Sequence, residues 1–250
     1  MKGMNSITRQ LRKAARIILI GAPGVGKGTQ TERLLARYPE LSSISSGDLL
    51  RENVRKKTPI GLKAEAAIQA GNLVPDSMIL ELISSEFQSK GWLPATPPLA
   101  TATSHHTSRP TPSLSPSASF ILDGFPRTAA QASSLDTIVP VNFVVHLVTP
   151  PSVILSRIAS RWVHEPSGRV YNTDFNVPKV PGKDDVTGEP LTQRLDDSID
   201  TWKQRLHKFE ETSKALLQHY ERKGCLWRVE GNSSDEISPK LFAEIERKFC

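Results

Sequence analysis

Two cysteines in 250 residues, Cys225 and Cys250, are too few for a disulfide framework, and no Cys/His cluster has zinc-ligand spacing. A reducing compartment follows. No apolar run approaches the roughly 20 residues of a membrane-spanning helix, so no membrane insertion is expected. Acids are missing from the first 16 positions, where Lys2, Arg9, Arg12, Lys13 and Arg16 supply most of the formal charge of +6. The remainder, residues 17 to 250, carries only +1. A body so nearly neutral gives no support to nucleic-acid binding. The basic arm over residues 1–15, with Ser6 and Thr8, is compatible with an organellar transit segment and equally with a solvated tail. Acids are absent again over residues 94–119, where six prolines stand among serines and threonines with almost nothing to bury. That stretch is expected to be a disordered surface loop, although translated intron would have the same composition. His105 and His106 within it make a poor metal site, because two adjacent histidines on a floppy loop hold no geometry.

What the chain has is a phosphate-binding arrangement near its start. The apolar run Ile17-Ile18-Leu19-Ile20 reads as a buried strand, and Thr31 to Arg37 as the body of a helix. Between them lies Gly21-Ala22-Pro23-Gly24-Val25-Gly26-Lys27-Gly28-Thr29. Glycines let the backbone fold into a nest of N–H donors, the helix N-terminus adds its dipole, and Lys27 supplies a point charge. The G-x4-G-K spacing from Gly21 to Lys27 is complete, but the hydroxyl usual directly after the lysine comes one place later, at Thr29. A dinucleotide fingerprint fails on spacing, since Gly21, Gly24 and Gly26 do not make G-x-G-x-x-G.

Further along, Leu41 to Ser46 reads as a short polar strand or extended loop, and Ser46-Gly47-Asp48 opens a helix that stops before Pro59. Helical patterns over 61–70 and 75–87 follow without an intervening strand, which suggests an insertion on a sheet. Phe120-Ile121-Leu122-Asp123 is an apolar strand ending in a carboxylate, and Val141 to Val148 is the clearest strand of all. His146 within it reads as a satisfied core histidine. After a helix over 152–160, residues 162–191 are rich in Gly, Pro and Asp without an apolar period, the mark of a functional lid. A long helix over 194–223, a strand over 226–229 and an amphipathic helix over 234–248 close the chain. This order predicts an α/β fold with a five-stranded parallel sheet covered on both faces and ligands beyond the C-terminal strand ends.

Five stretches together resemble the adenylate kinase family, long-lid type: Gly21 to Thr29, Ser46-Gly-Asp-Leu-Leu-Arg51, Asp123-Gly-Phe-Pro-Arg-Thr128, Gly168-Arg-Val-Tyr171 and Arg194-Leu-Asp-Asp197. The hydroxyl at Thr29 is that family's form of the loop. Ser46, the segment 160–164 and Thr187 to Leu191 are most similar to the mitochondrial GTP:AMP phosphotransferases within it. The resemblance implies a P-loop nucleoside monophosphate kinase core over 16–250, with an AMP-binding insertion over 45–74 and a lid over 161–197. It implies transfer of a phosphoryl group from GTP to AMP, with ATP as the alternative donor, in a monomer of the mitochondrial matrix or, alternatively, the cytoplasm. The donor would lie on Gly24, Val25, Gly26, Lys27, Gly28 and Thr29, with Arg157, Arg161, Val170, Tyr171 and Ser233. AMP would lie on Ser46, Gly47, Arg51, Asn72, Leu73, Val74, Gly124, Arg127, Gln131, Arg194 and Arg205, with Gln131 reading adenine. Lys27, Arg127, Arg161, Arg194 and Arg205 would be the catalytic cations, Asp196 and Asp197 would orient the arginines, and Asp123 would position magnesium through water. Arg157 and Arg161, four apart, are expected on one helical face. Where some relatives hold zinc on four cysteines, this chain has His164, Ser167, Asp184 and Thr187, so a hydrogen-bonded cluster is expected and no structural zinc. A P-loop switch protein is the reading from another class, but it has no use for an arginine-lined monophosphate site.

Overall fold

A computed structural model describes residues 9–69, 72, 74–94, 115, 117–173, 176–193 and 198–250. Leu73, Arg194, Asp196, Asp197, the first eight residues of the arm and most of the 94–119 stretch lie outside the described residues.

Among the described residues the chain runs β1 (Arg16–Ile20), α1 (Lys27–Arg37), β2 (Ser42–Ser45), α2 (Ser46–Arg55), α3 (Pro59–Gln69), α4 (Asp76–Ser89), β3 (Phe120–Asp123) and α5 (Ala129–Asp136). It continues with β4 (Phe143–Val148), α6 (Pro151–Ala159), β5 (Arg161–Val163), β6 (Val170–Asn172), α7 (Ile199–Arg222), β7 (Leu226–Glu230) and α8 (Ser234–Phe249). Five strands form a parallel sheet in the order β2-β3-β1-β4-β7, as the element order predicts. Alternation along β1 divides the interior in two, because successive side chains point to opposite faces. Ile18 and Ile20 pack with Leu122, Val144, Phe87, Leu216 and Tyr220 on one face. Ile17 and Leu19 pack with Leu34, Val145, Ile154, Leu241 and Ile245 on the other. The helices α2 to α5 of the first core therefore lie opposite α1, α6 and α8, and α7 spans both, with Leu216 and Tyr220 in the first core and Trp202 in the second. Ends of the sheet are polar or partly exposed: β2 is a run of serines around Ile44, and β7 shows Arg228 and Glu230 to solvent.

Several expectations need correction. α6 stops at Ala159, so Arg161 is not on its face with Arg157; it opens β5 and pairs in antiparallel register with Asn172 of β6. Asn172 explains the break, since its Nδ2 donates to Arg157 O at 3.0 Å and Ser160 Oγ at 2.6 Å, taking a carbonyl from the helix end. α7 starts at Ile199 because Ser198 caps it, its Oγ accepting from Thr201 N at 3.1 Å. His146 is half-buried rather than core, and burial holds its imidazole below the ordinary value, with Arg228 pushing the same way. The last residues of the 94–119 stretch do pack: Ala118 and Ser119 are buried, and Ser115 N donates to Trp92 O at 2.8 Å.

The described part of the arm is built into the fold. Arg9 N donates to Arg37 O at 3.0 Å and Arg12 N to Phe249 O at 2.7 Å, so the arm satisfies carbonyls at the C-terminal ends of α1 and α8. Ala15 is fully buried, and its N–H donates to Ser119 Oγ at 3.2 Å. Truncation through Ala15 is therefore expected to cost roughly 2 kcal/mol or more from these bonds and the lost burial. Thermal unfolding checks this, and a melting temperature equal to that of the full chain would show the arm to be dispensable.

Candidate active site

The C-terminal ends of β1 and β3 stand side by side, with Leu19 opposite Asp123, and the loops that follow them face one opening. The loop after β1 crosses itself tightly. Gly24 has φ +87°, and a Cβ there would lie 2.7 Å from Ile158 Cδ1 and 2.8 Å from Ile154 Cγ2, so the loop can rest on α6 only as glycine. Val25 is buried beneath it, and Gly26 caps α1 in a left-handed conformation, which leaves the N–H groups of Lys27, Gly28 and Thr29 in the first turn. Gly28 is exposed and Thr29 half-buried at the rim. Lys27 curls back over the loop, with Nζ donating to Gly21 O at 2.9 Å and Ala22 O at 3.3 Å.

Electrostatics around Lys27 identify its neighbours. Burial pushes its ammonium below the ordinary value and Asp123 pulls it back up, while Arg127, Arg205 and Arg161 push it further down. The Asp123 carboxyl is pushed up by burial, opposed first by Lys27; Asp48 raises it further, and Arg127 and Arg51 lower it. Arginines from α2, the β3–α5 loop, β5 and α7 thus act on one acid–base pair. Asp123 is a single carboxylate: among the described residues no group of three or more His, Cys, Asp or Glu side chains is placed to hold a metal. One carboxylate beside a phosphate loop suits a cation that keeps most of its waters and arrives on phosphate oxygens.

Beside this pair opens a cleft lined by Ser46, Gly47, Arg51, Asn72, Val74, Gly124, Arg127, Gln131 and Arg205, together with Leu50, Ile68, Ile79 and Phe125. Every residue expected at the acceptor site is here except Leu73 and Arg194, which lie outside the described residues. Gly124 is required by close approach: its φ is +80°, and a Cβ would sit 2.7 Å from the Oγ of buried Ser46. Arg51 pairs with Asp48, and Arg127 is aimed by its Nε donating to Gly124 O at 2.7 Å. Three cations among the described residues, Arg51, Arg127 and Arg205, line a pocket that Leu50, Ile68, Ile79 and Phe125 make partly apolar, which is a site for an anion carrying a flat, weakly polar body.

On the other side of the loop, Arg157 donates from Nη1 to Val25 O at 3.3 Å and from Nη2 to Asn232 O at 2.8 Å, and burial lowers its pKa. It thus joins the phosphate loop to the β7–α8 turn, where Ser233 Oγ caps α8 by accepting from Glu236 N at 3.2 Å. Ser233 is half-buried at that edge.

Residues 161–192 form a small body of their own around the β5–β6 pair, with Val163 also bridged to Thr192. Val170 is half-buried and Tyr171 buried in β6. The four positions His164, Ser167, Asp184 and Thr187 do meet as a hydrogen-bonded cluster. His164 Nε2 donates to Glu189 Oε2 at 2.6 Å and Nδ1 lies 2.7 Å from Ser167 Oγ. Asp184 accepts from Arg169 Nη2 at 2.6 Å, Thr187 N at 2.8 Å, Tyr171 Oη at 2.9 Å and Thr187 Oγ1 at 3.0 Å. Tyr171 is therefore a structural member of this cluster. Arg169 also lowers the pKa of Glu32 on α1, which burial raises, so this body stands near the phosphate-loop helix.

Two contacts had no signal in the sequence. Trp202 Nε1 donates to Pro23 O at 3.0 Å, tying α7 to the phosphate loop, and Gln131 Nε2 donates to Asp76 Oδ1 at 2.6 Å. Both join residues far apart in the chain.

Comparison with known proteins agrees with this geometry. The adenylate kinase family model matches residues 19–94, and the model of the adenylate kinase active-site lid matches residues 161–196. The chain is 46% identical to a mitochondrial GTP:AMP phosphotransferase of Saccharomyces cerevisiae over 96% of its own length and 95% of that protein's. A Drosophila melanogaster protein of the same name is 40% identical, over 92% and 94%. An adenylate kinase of Buchnera aphidicola is 38% identical, over 86% and 89%.

Asp184 makes the lid cluster sensitive to acid. Arg169 above all, then the N–H of Thr187 and the Tyr171 hydroxyl, hold its carboxyl well below the ordinary range. A depressed carboxylate contributes stability that is complete above its unfolded value of about 3.9 and is shed progressively below it. Amide protection over 161–173 and 176–192, taken relative to the intrinsic exchange rate at each pH, is expected to be constant from neutral pH to about 5 and to fall below about 4. Asp184→Ala should show fast exchange at every pH, and unchanged protection in that variant would remove Asp184 from the role.

Proposed function

Because the chain belongs to the adenylate kinase family, we propose that it transfers the terminal phosphoryl group of GTP reversibly to AMP, giving GDP and ADP. One observation carries this reading: Arg127 and Arg205 of the arginine-lined cleft act directly on Lys27 of the phosphate loop, and Arg127 and Arg51 on its neighbour Asp123, so two phosphate-bearing ligands would meet end to end. A nucleotide switch needs only the first. The choice of GTP as donor is supported by the names of the yeast and fly relatives, and so is a mitochondrial location, for which we propose the matrix.

Lys27 and the N–H groups of residues 24–29 would hold the donor phosphates, and Arg157 with Val170, Tyr171 and Ser233 would border its base and ribose. Ser46, Gly47, Arg51, the backbone of 72–74, Gly124, Arg127 and Gln131 would hold AMP. Arg161, Arg194 and Arg205 would converge on the phosphoryl group in flight. Asp123 would hold Mg2+ through water, and the ion brings charge neutralisation to the donor phosphates when bound. The chain's own residues then have two tasks. They align the AMP phosphate, already anionic near neutral pH, with the donor, and they place cations where charge spreads over the equatorial oxygens. No protein nucleophile and no strong base are needed. The lid's task is to keep water from taking the phosphoryl group.

Phosphoryl transfer to AMP from GTP and from ATP, measured side by side with magnesium, tests the proposal. GTP is expected to be the better donor. A preference for ATP would overturn the donor assignment, and absence of ADP with either would overturn the reaction. Lys27→Met and Arg127→Ala should each lower turnover by roughly 10²-fold or more while circular dichroism stays unchanged. Near-normal rates in either variant would remove that residue from the mechanism.

A further inference from the structure

Gln131 is 2% exposed, and its side-chain amide is held at both ends. Its Oε1 accepts from the backbone N–H of Arg127 at 2.6 Å, and its Nε2 donates to Asp76 Oδ1 at 2.6 Å. A backbone N–H can only donate and a carboxylate can only accept, so these partners dictate which way round the amide sits. With the amide turned over, the NH2 would face an N–H and the oxygen would face a carboxylate. Each end keeps one valence for the cleft that Gln131 lines: a second hydrogen on Nε2 and a second lone pair on Oε1.

We infer that Asp76, at the first turn of α4, is a positioning residue that sets the base selectivity of the acceptor site by fixing the amide of Gln131 in one orientation. The inference rests on the reading of this cleft as the AMP site. Adenine offers a donor at N6 beside an acceptor at N1, whereas hypoxanthine offers an acceptor at O6 beside a donor at N1. A free amide would turn over to serve either edge. A locked amide matches one and meets the other donor to donor and acceptor to acceptor, and a site left with buried unpaired groups rejects a ligand strongly. Asp76 contributes without touching the reacting atoms, and it belongs to α4, which the sequence motifs do not reach.

The test compares kcat/KM for AMP and for IMP, with GTP as donor, in wild type, Asp76→Ala and Asp76→Asn. Asp76→Ala is expected to lower the AMP:IMP ratio by roughly tenfold or more with the KM for GTP unchanged. Asp76→Asn can present either its oxygen or its NH2 to Gln131, so it no longer dictates the orientation at that end and is expected to lower the ratio as well. Equal losses for AMP and IMP in Asp76→Ala, or an unchanged ratio, would overturn the inference. So would an Asp76→Asn ratio equal to the wild-type ratio, which would show that an acceptor-only partner is not what sets the selectivity. Failure of the wild type to phosphorylate AMP would instead overturn the functional reading.

Discussion

Repulsion among like charges governs the heart of this molecule. Lys27 curls back over the loop onto the carbonyls of Gly21 and Ala22, where burial already disfavours its charge, and Arg127, Arg205 and Arg161 disfavour it further. Asp123 alone among the groups acting on it pulls the other way, and burial disfavours that charge as well. Such a centre is held together by the rest of the fold. At an effective dielectric of about 20, a unit anion 4 Å from one cation gains about 4 kcal/mol, so phosphates bridging several of them relieve more strain than any side chain could. A centre of this charge favours anions, and the chemistry of a dissociative phosphoryl group, with its charge spread over oxygens, is the chemistry it suits.

What holds the cations in place against that repulsion is a parallel sheet buried on both faces. Registers of β1 with β3 and β4 bring the ends of three strands to one edge, so that a phosphate loop and a carboxylate arrive together with no long-range design beyond the pairing itself. Two side chains then lock the surrounding helices to the loop: Trp202 from α7, on Pro23 O, and Arg157 from α6, on Val25 O. Arg205 is one turn along from Trp202, so the tryptophan contact also fixes how far that arginine stands from Lys27.

Legibility in the sequence followed the range of the interactions. The phosphate loop, Asp123 and the Gly124-to-Arg127 turn were readable because a few consecutive residues carry both their conformation and their chemistry. The sheet was readable because apolar runs at β1, β3 and β4 need no partner to be recognised. The β5–β6 pair was not, since three-residue strands in a polar segment leave no period to detect. Arg161 was misplaced because spacing of four suggests a helix, while the interruption comes from Asn172, eleven positions later, binding the helix end. The arm reads as a transit segment or a solvated tail because its charge is conspicuous, while its two backbone bonds to Arg37 and Phe249 are invisible in composition.

The same Asn172 contact has a mechanical consequence. Asp184 gathers five donor atoms from Arg169, Tyr171 and Thr187 and a sixth from Val186 N, so hydrogen bonds to one carboxylate tie the loops of the lid body together. A body tied in this way moves as a unit, and any movement is felt where it is attached. One attachment is the antiparallel pairing of Arg161 with Asn172, whose amide reaches the carbonyl of Arg157. Arg157 in turn holds the phosphate loop by Val25 O and the β7–α8 turn by Asn232 O. The position of the lid is thus connected by three consecutive contacts, through the side chains of Asn172 and Arg157, to the backbone on which donor phosphates would rest. Ordering that chain costs conformational entropy once, and a ligand that engages both Arg161 and the loop recovers it from both ends.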